Sequence, residues 1–403
     1  MGKLYTCGPC IIAPPVAKMH EIRRGALRSG IADQPSTAPA PEGGRALALD
    51  GLRGLAALSV FFSHARGTIP TGPLLETLQS TPVRIMWDGA AAVSLFFVLS
   101  GFVLSLPFVG PTAKRLKVAD FLVRRVFRIY PAYVVTLILS LVLRMHGHVS
   151  SPEASAWFQN LWTLPITPSD LIRHAIMIGP KFDAHLIDPV VWTMVFEMRM
   201  SILMPALILL LRNTRARTDL LIIAAVVLFG LCGHLALAWV APFFIAGLEI
   251  AKHRHAVIAY VHSLPLSKRA AFLTASLALY ASRMFGSEAS TPLSYASGLG
   301  AAGLILCVLC LPACKSIASS RVALCLGKIS YSFYLVHLPI MICLASWLLP
   351  STHSLLVCWV SSLCASVLVS AVIWYLVELP CQSFGKRDWP VPRAHLERLL
   401  RAV

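Results

Sequence analysis

The sequence predicts an all-α, polytopic membrane protein of about ten transmembrane helices with both termini in the cytoplasm. Three observations carry that expectation. The chain of 403 residues is 57% hydrophobic and only 13% charged, whereas a soluble domain carries about 25% charged residues. Its apolar residues recur in runs of about 17–25, the length at which a helix rising about 1.5 Å per residue crosses about 30 Å of hydrocarbon. Its Lys and Arg residues gather in alternate loops. The runs lack the two-residue alternation of barrel strands, so helices are what can satisfy the backbone in lipid.

Taken in order, residues 1–45 are rich in Pro, Ala, Gly and Arg, show no sustained periodicity, and read as a mobile cytoplasmic tail. No apolar segment with a cleavage site follows the start, so no signal peptide is expected. Ten spans follow, at about 50–67, 86–108, 127–145, 188–211, 219–234, 236–251, 270–285, 293–312, 329–349 and 354–377. The fifth and sixth are the shortest. The transmembrane domain extends over 46–387, and 388–403 form a second cytoplasmic tail. No internal repeat is visible, which weighs against inverted-repeat transporter folds.

The loops orient the set. Of the 35 Lys and Arg residues, 27 fall in the two tails and in the loops after the second, fourth, sixth and eighth spans. Arg66, Arg84, Arg144, Arg173, Lys181 and Arg283 fall on the opposite side, and Arg53 and Arg199 lie inside spans. Positive loops stay in the cytoplasm, which places both termini there. It also explains the net charge of +17 without nucleic acid, which is not an expected partner. The longest outside segment, about 146–187, carries Trp157 and Trp162 and short amphipathic stretches, and reads as an interfacial or sugar-facing lid. The eleven cysteines form no disulfide or zinc pattern, no metal is expected, and Cys7 and Cys10 have thioredoxin-like spacing in a tail without a βαβ pattern.

Ionisable side chains inside spans are costly and mark candidate sites. Arg53 and His64 share the first span. Eleven residues make three turns plus about 20°, so both lie on one stripe, about 16 Å apart along the axis. Alone, Arg53 reads either as a snorkelling anchor or as a functional cation, and His64 either as an interhelical hydrogen bond or as a general base. Glu197 sits nine residues into a span that starts outside, about 13 Å deep, a depth at which it is expected to meet His64. A carboxylate there sets a histidine's tautomer and stabilises its charged form; a buried structural pair is the competing reading. Arg125 and Arg128 are i, i+3 neighbours on one face at the cytoplasmic surface. Guanidinium groups fit phosphate, and lipid head-group anchoring competes. Tyr331, Tyr334 and His337 open the ninth span, where Pro339 frees a backbone carbonyl; packing is an equal reading there.

These stretches together resemble the acyltransferase-3 family of multi-pass membrane acyltransferases, which O-acetylate bacterial surface polysaccharides, nodulation factors and some antibiotics. The resemblance covers about 47–387. Leu49-Asp50-Gly51-Leu52-Arg53-Gly54, with ten residues between Arg53 and His64, matches its opening motif. Further matches are Leu95–Phe102, the RxxR element of Arg125 and Arg128, Trp192-Thr193 with Glu197, Ser330-Tyr331-Ser332 with His337 and Pro339, and Glu378-Leu379-Pro380. Met200-Ser201 depart from it, standing where the family usually shows an aromatic pair.

The resemblance implies ten helices in the inner membrane and acyl transfer, acetyl being the expected group, from cytoplasmic acyl-CoA to a hydroxyl of a carbohydrate-type acceptor. Acyl-CoA is then a co-substrate and no cofactor is bound. Partners are acyl-CoA, the glycan acceptor and the bilayer. Arg125 and Arg128 would hold phosphates and Arg53 would line the donor path. His64 would be the catalytic histidine, as base or transient acyl carrier, with Glu197 orienting it. Ser100, Trp192, Tyr331, Tyr334 and His337 are the candidates to line the pocket. A secondary transporter or sugar exporter is the rival class, and the other membrane O-acyltransferase superfamily, with a deep His and a separate Asn or Asp, is the rival enzyme.

Overall fold

In the computed structural model, residues 42–111, 113–177, 183–232, 236–286 and 290–386 are described. The tails before 42 and after 386, Cys7 and Cys10 among them, and Lys181 lie outside these residues.

Each of the ten apolar stretches folds as a helix: α1 (Glu42–Gly67), α2 (Gly89–Ser105), α3 (Val118–Arg144), α4 (Trp192–Leu211), α5 (Ala216–Leu231), α6 (Ala236–Ser263), α7 (Leu266–Tyr280), α8 (Thr291–Cys310), α9 (Arg321–Thr352) and α10 (Leu355–Ile373). No strand occurs among the described residues. Local chemistry starts several of them. The Asp88 carboxylate accepts from the Ala91 amide at 2.9 Å and caps α2, and Ser320 and Ser354 cap α9 and α10. The expected limits at 251 and 329 fall short, since α6 runs on to Ser263 and α9 already begins at Arg321. A helix need not stop at the membrane edge when polar residues continue it.

Among the described residues, six helical segments are long and apolar enough to cross a membrane: Gly89–Phe108, Val118–Arg144, Trp192–Leu211, Thr291–Cys310, Arg321–Thr352 and Leu355–Gly385. The other four stretches are shorter or more polar. α5 has 16 residues and α7 has 15, while α1 carries Asp50, Arg53 and Arg66, and α6 carries Glu249, Lys252 and Arg254. Large apolar side chains such as Leu210, Leu221 and Leu368 are exposed on the outside of the bundle, an arrangement suited to lipid.

Close backbone approach fixes the inner packing. α1 packs along α9, and a methyl on Gly54 would collide with the backbone of Gly327. α2 crosses α6 the same way, where Gly101 meets the Phe244 carbonyl and Gly247 the Val98 carbonyl. Small residues at a crossing let membrane helices touch along their backbones. α2 also touches α1, α4 and α8, and α9 touches α3 and α10. α10 continues through a π-helical turn at Trp374–Glu378 into Leu379–Gly385. Pro380 brings no amide to that turn, so the i→i−4 ladder is interrupted where the π geometry appears.

Between α3 and α4 the connecting segment forms two short helices, Ala156–Gln159 and Pro168–Ile176. The second opens on a capping box in which Thr167 and Asp170 satisfy each other's backbone amides. Ser155 fastens the first to the end of α1: its hydroxyl donates to the Gly67 carbonyl at 2.6 Å and its amide to the Thr68 carbonyl at 2.8 Å.

Candidate active site

A cavity of about 570 Å³ lies among α1, α2, α3, α4, α9 and the Leu379–Gly385 helix. Its lining runs from Lys386, Gln382 and Arg124 past Arg53, Arg125 and Arg128 to Thr193 and Tyr334. Apolar residues of α2, Phe96 and Leu99 among them, form one wall. Such a volume, mostly apolar with a few convergent polar groups, suits a small-molecule ligand.

The arginines are held by specific partners. Arg53 Nε donates to Ser330 Oγ at 3.0 Å, and its guanidinium lies 3.6 Å from Asp50. Arg125 pairs with Glu197, and its Nε donates to Ser201 Oγ at 3.0 Å. Ser100 Oγ donates to the same Glu197 carboxylate at 3.0 Å. Arg128 pairs with Glu378 and lies 5.3 Å above the Tyr331 ring. Glu378 is buried and also accepts from the Ser332 amide at 3.2 Å and from the Ser332 hydroxyl. The Tyr331 hydroxyl donates to the Ile129 carbonyl at 2.7 Å.

The histidines form a second group. His64 Nδ1 and His337 Nε2 are 3.0 Å apart. Phe61, Phe333 and Tyr334 surround the fully buried His337, with ring centroids 6.2, 6.0 and 6.0 Å away. From the segment between α3 and α4 the Trp157 indole stacks on His64 at 6.1 Å. Tyr334 links the two groups: it lines the cavity, contacts His337, and its hydroxyl accepts from Thr193 Oγ1 at 2.9 Å. The segment carrying Trp157 is clasped a second time where Glu153 meets His353 Nδ1 at 2.9 Å. The Ser151 hydroxyl, and then His353, hold the Glu153 carboxyl down at about 2.

Several expectations need correction. Glu197 does not meet His64; its carboxylate is taken by Arg125 and Ser100, and His64 is paired with His337. Glu197 lies at the level of Arg53, with which it lines the cavity, whereas His64 lies outside that lining; counting residues from an assumed span edge does not fix the depth at which two helices meet. Trp192 lies outside the cavity, half-exposed and edge-on to Phe196 at 6.1 Å. His337 sits behind Tyr334 and does not line the cavity, whereas Ser100, Tyr331 and Tyr334 do. Arg125 and Arg128 share a face as expected, but their guanidinium groups reach into the cavity and meet carboxylates. Ser201, at the departure from the family pattern, is a polar partner of Arg125.

Glu378, Arg124, Gln382 and Lys386 carried no site role in the sequence reading. The signal for Glu378 was a carboxylate directly after an apolar run and two residues before Pro380. A further polar group lies apart from the cavity: ligand atoms of Asp219, Glu249 and His253 lie within 4.8 Å of one another. Lys252 already donates to Asp219 at 2.6 Å there, so an ammonium supplies the cation.

A family model described as an acyltransferase domain, that of the acyltransferase-3 family, matches residues 47–375. The chain belongs to the acyltransferase-3 family. The match takes in α1 through the start of the π-helical turn and thus most of the cavity wall and both histidines. With its apolar helices, the family makes this acyltransferase a multi-pass membrane protein. No curated protein and no solved structure matches the chain.

Proposed function

We propose that this acyltransferase takes an acyl group, acetyl being the expected one, from cytoplasmic acyl-CoA and transfers it to a hydroxyl of a carbohydrate-type acceptor, surface or exported polysaccharide being the class. It works in the inner membrane with ten transmembrane helices and both tails in the cytoplasm. The carrying observation is the chain of contacts from the arginine-rich cavity through Tyr334 to His337 and His64. A donor with a phosphate-bearing head and a thioester tail needs cations at one end and a base near the other.

Glu197, Glu378 and Asp50 offset three of the arginines, and Arg124 and Lys386 leave the lining cationic. Arg125 and Arg128, held in place by those carboxylates, point donors toward the bound phosphates; Arg53 lines the path of the arm. Glu197 acts through Arg125. His64 serves as the base that accepts the hydroxyl proton. Trp157 over His64 offers an apolar face on the outer side, where a sugar ring would arrive.

His64→Ala separates this reading from a transporter. In protein purified into nanodiscs, thioester cleavage and transfer to a glycan acceptor are expected to fall about 10²–10⁴-fold while acyl-CoA still binds. Turnover per folded molecule close to that of the unaltered protein would remove His64 from the chemistry. Mass spectrometry of surface glycans from cells with and without the protein identifies the acceptor.

A further inference from the structure

The two imidazoles do not use their nitrogens alike. His337 Nδ1 lies 3.1 Å from the Phe333 carbonyl oxygen, and its Nε2 lies 3.0 Å from His64 Nδ1. A carbonyl oxygen only accepts, and a neutral imidazole carries one donor and one acceptor nitrogen. The His337 proton therefore belongs on Nδ1, which leaves the Nε2 lone pair facing His64. His64 Nδ1 faces that lone pair and, at 3.1 Å, the Val60 carbonyl oxygen. Both neighbours accept, so this nitrogen must donate. The reverse assignment would set two lone pairs against each other at 3.0 Å.

We propose that His337 is a positioning residue that locks His64 in the Nδ1–H tautomer, so that Nε2 is the nitrogen that takes the acceptor's proton. Packing supports the role: Phe61, Phe333 and Tyr334 confine the His337 ring, and Pro339 interrupts the ladder of α9 one turn from Leu335. A triad sets a carboxylate beside its histidine for the same purpose. A second imidazole sets the tautomer without burying an anion, whose desolvation is costly in apolar surroundings.

The proposal rests on the acyl-transfer reading, and the protons balance within it. The acceptor oxygen bonds to the thioester carbonyl carbon as its proton passes to His64 Nε2. The C–S bond then breaks, and the departing thiolate takes that proton from Nε2, returning His64 to its neutral form. While His64 is charged, its Nδ1–H donates more strongly to His337 Nε2, and His337 Nδ1–H donates to the Phe333 carbonyl.

Two readouts test it. Solid-state NMR of protein with ¹⁵N-labelled histidine in lipid, with His64 assigned by its loss in His64→Ala, is expected to show a protonated Nδ1 and an unprotonated Nε2. In His337→Leu, which keeps the bulk but removes one of the two acceptors, only the Val60 carbonyl still faces Nδ1, and His64 is expected to populate the Nε2–H form beside the Nδ1–H form. Turnover should fall about 10²-fold or more, with the donor KM unchanged. His337→Gln keeps a carbonyl oxygen as acceptor and is expected to recover turnover to within about tenfold of the unaltered protein. A protonated Nε2 on His64 in the unaltered protein would overturn the proposal whatever the variants do. So would full turnover in folded His337→Leu, or a Gln variant no better than Leu. If the unaltered protein cleaves no thioester, the acyl-transfer reading fails, while the nitrogen signals still decide the tautomer.

Discussion

Glu197 and Arg125 acquire their meaning from each other. The pair is mostly buried, with side-chain exposures of 12% and 15%. Removing one partner of such a pair leaves an unpaired charge in an apolar setting, at a cost of about 3–5 kcal/mol, whereas removing both is much milder. Arg125→Gln is therefore expected to lower the thermal unfolding temperature in nanodiscs, and Arg125→Gln with Glu197→Gln to regain most of it. Acyl-CoA affinity is expected to drop about tenfold or more in both, because each lacks a charge-assisted phosphate contact. A single variant as stable as the unaltered protein would show that the pair contributes little. The charged side chains of the cavity and the two histidines stood out in the sequence because an Arg, His or Glu inside an apolar run has few reasons to be there. Their partners were not. Counting residues from an assumed span edge gives neither the rotation, the tilt nor the offset of one helix against another, so Glu197 was matched to His64 although it sits beside Arg53 in the cavity. Glu378 went without a role because its position depends on a π-helical turn that no periodicity announces.

At the scale of elements, the crossing of α1 and α9 brings Arg53 to Ser330 and His64 to His337. Both contacts rise in the same chain direction, so the helices run parallel, and the glycines of the opening motif set their spacing. A side chain on Gly54 meets the backbone of Gly327 and the Ala323 carbonyl, and backbone cannot give way as a flexible side chain does. Gly54→Leu is expected to cost toward the upper end of about 1–3 kcal/mol by overpacking. It should also part His64 from His337, so turnover falls even in the molecules that fold. Gly72→Ala is the control, since nothing lies within 4 Å of the added methyl. Thermal unfolding and turnover per folded molecule check both; an unaffected Gly54→Leu would mean that the helices are not in contact there. The existence of all ten helices was legible from run length alone. Their ends were not, because α6 and α9 continue on polar residues that hydropathy discounts.

For the whole molecule, the open quantity is how many of the ten helices cross. Six qualify by length and composition, and α1, α5, α6 and α7 do not. Their packing favours crossing. α1 lies along α9 and α6 along α2, while α7 packs against α8 and α5 against α6. A polar helix can share the depth of an apolar neighbour where its costly groups turn inward, as Arg53 does toward Ser330. Charge agrees, because Arg212, Arg215 and Arg217 on one side of α5, and Lys268 and Arg269 at the start of α7, fall on the side expected to be cytoplasmic. The two counts differ at α1 and across α5 to α7, and the second difference is testable at one place. If α5, α6 and α7 all cross, the segment after α7 emerges outside; if none does, it stays with the α4–α5 loop in the cytoplasm. Phe285 is exposed in that segment. In a cysteine-free background, Phe285→Cys and Asn160→Cys are expected to react with an impermeant thiol reagent on intact cells, and Arg115→Cys and Arg215→Cys only after permeabilisation. A Phe285→Cys that reacts only after permeabilisation would leave an even number of these three helices crossing and reverse the direction of α8 and α9. The contacts of α1 with α9 would then join helices running in opposite senses, which the Arg53–Ser330 and His64–His337 pairs do not allow.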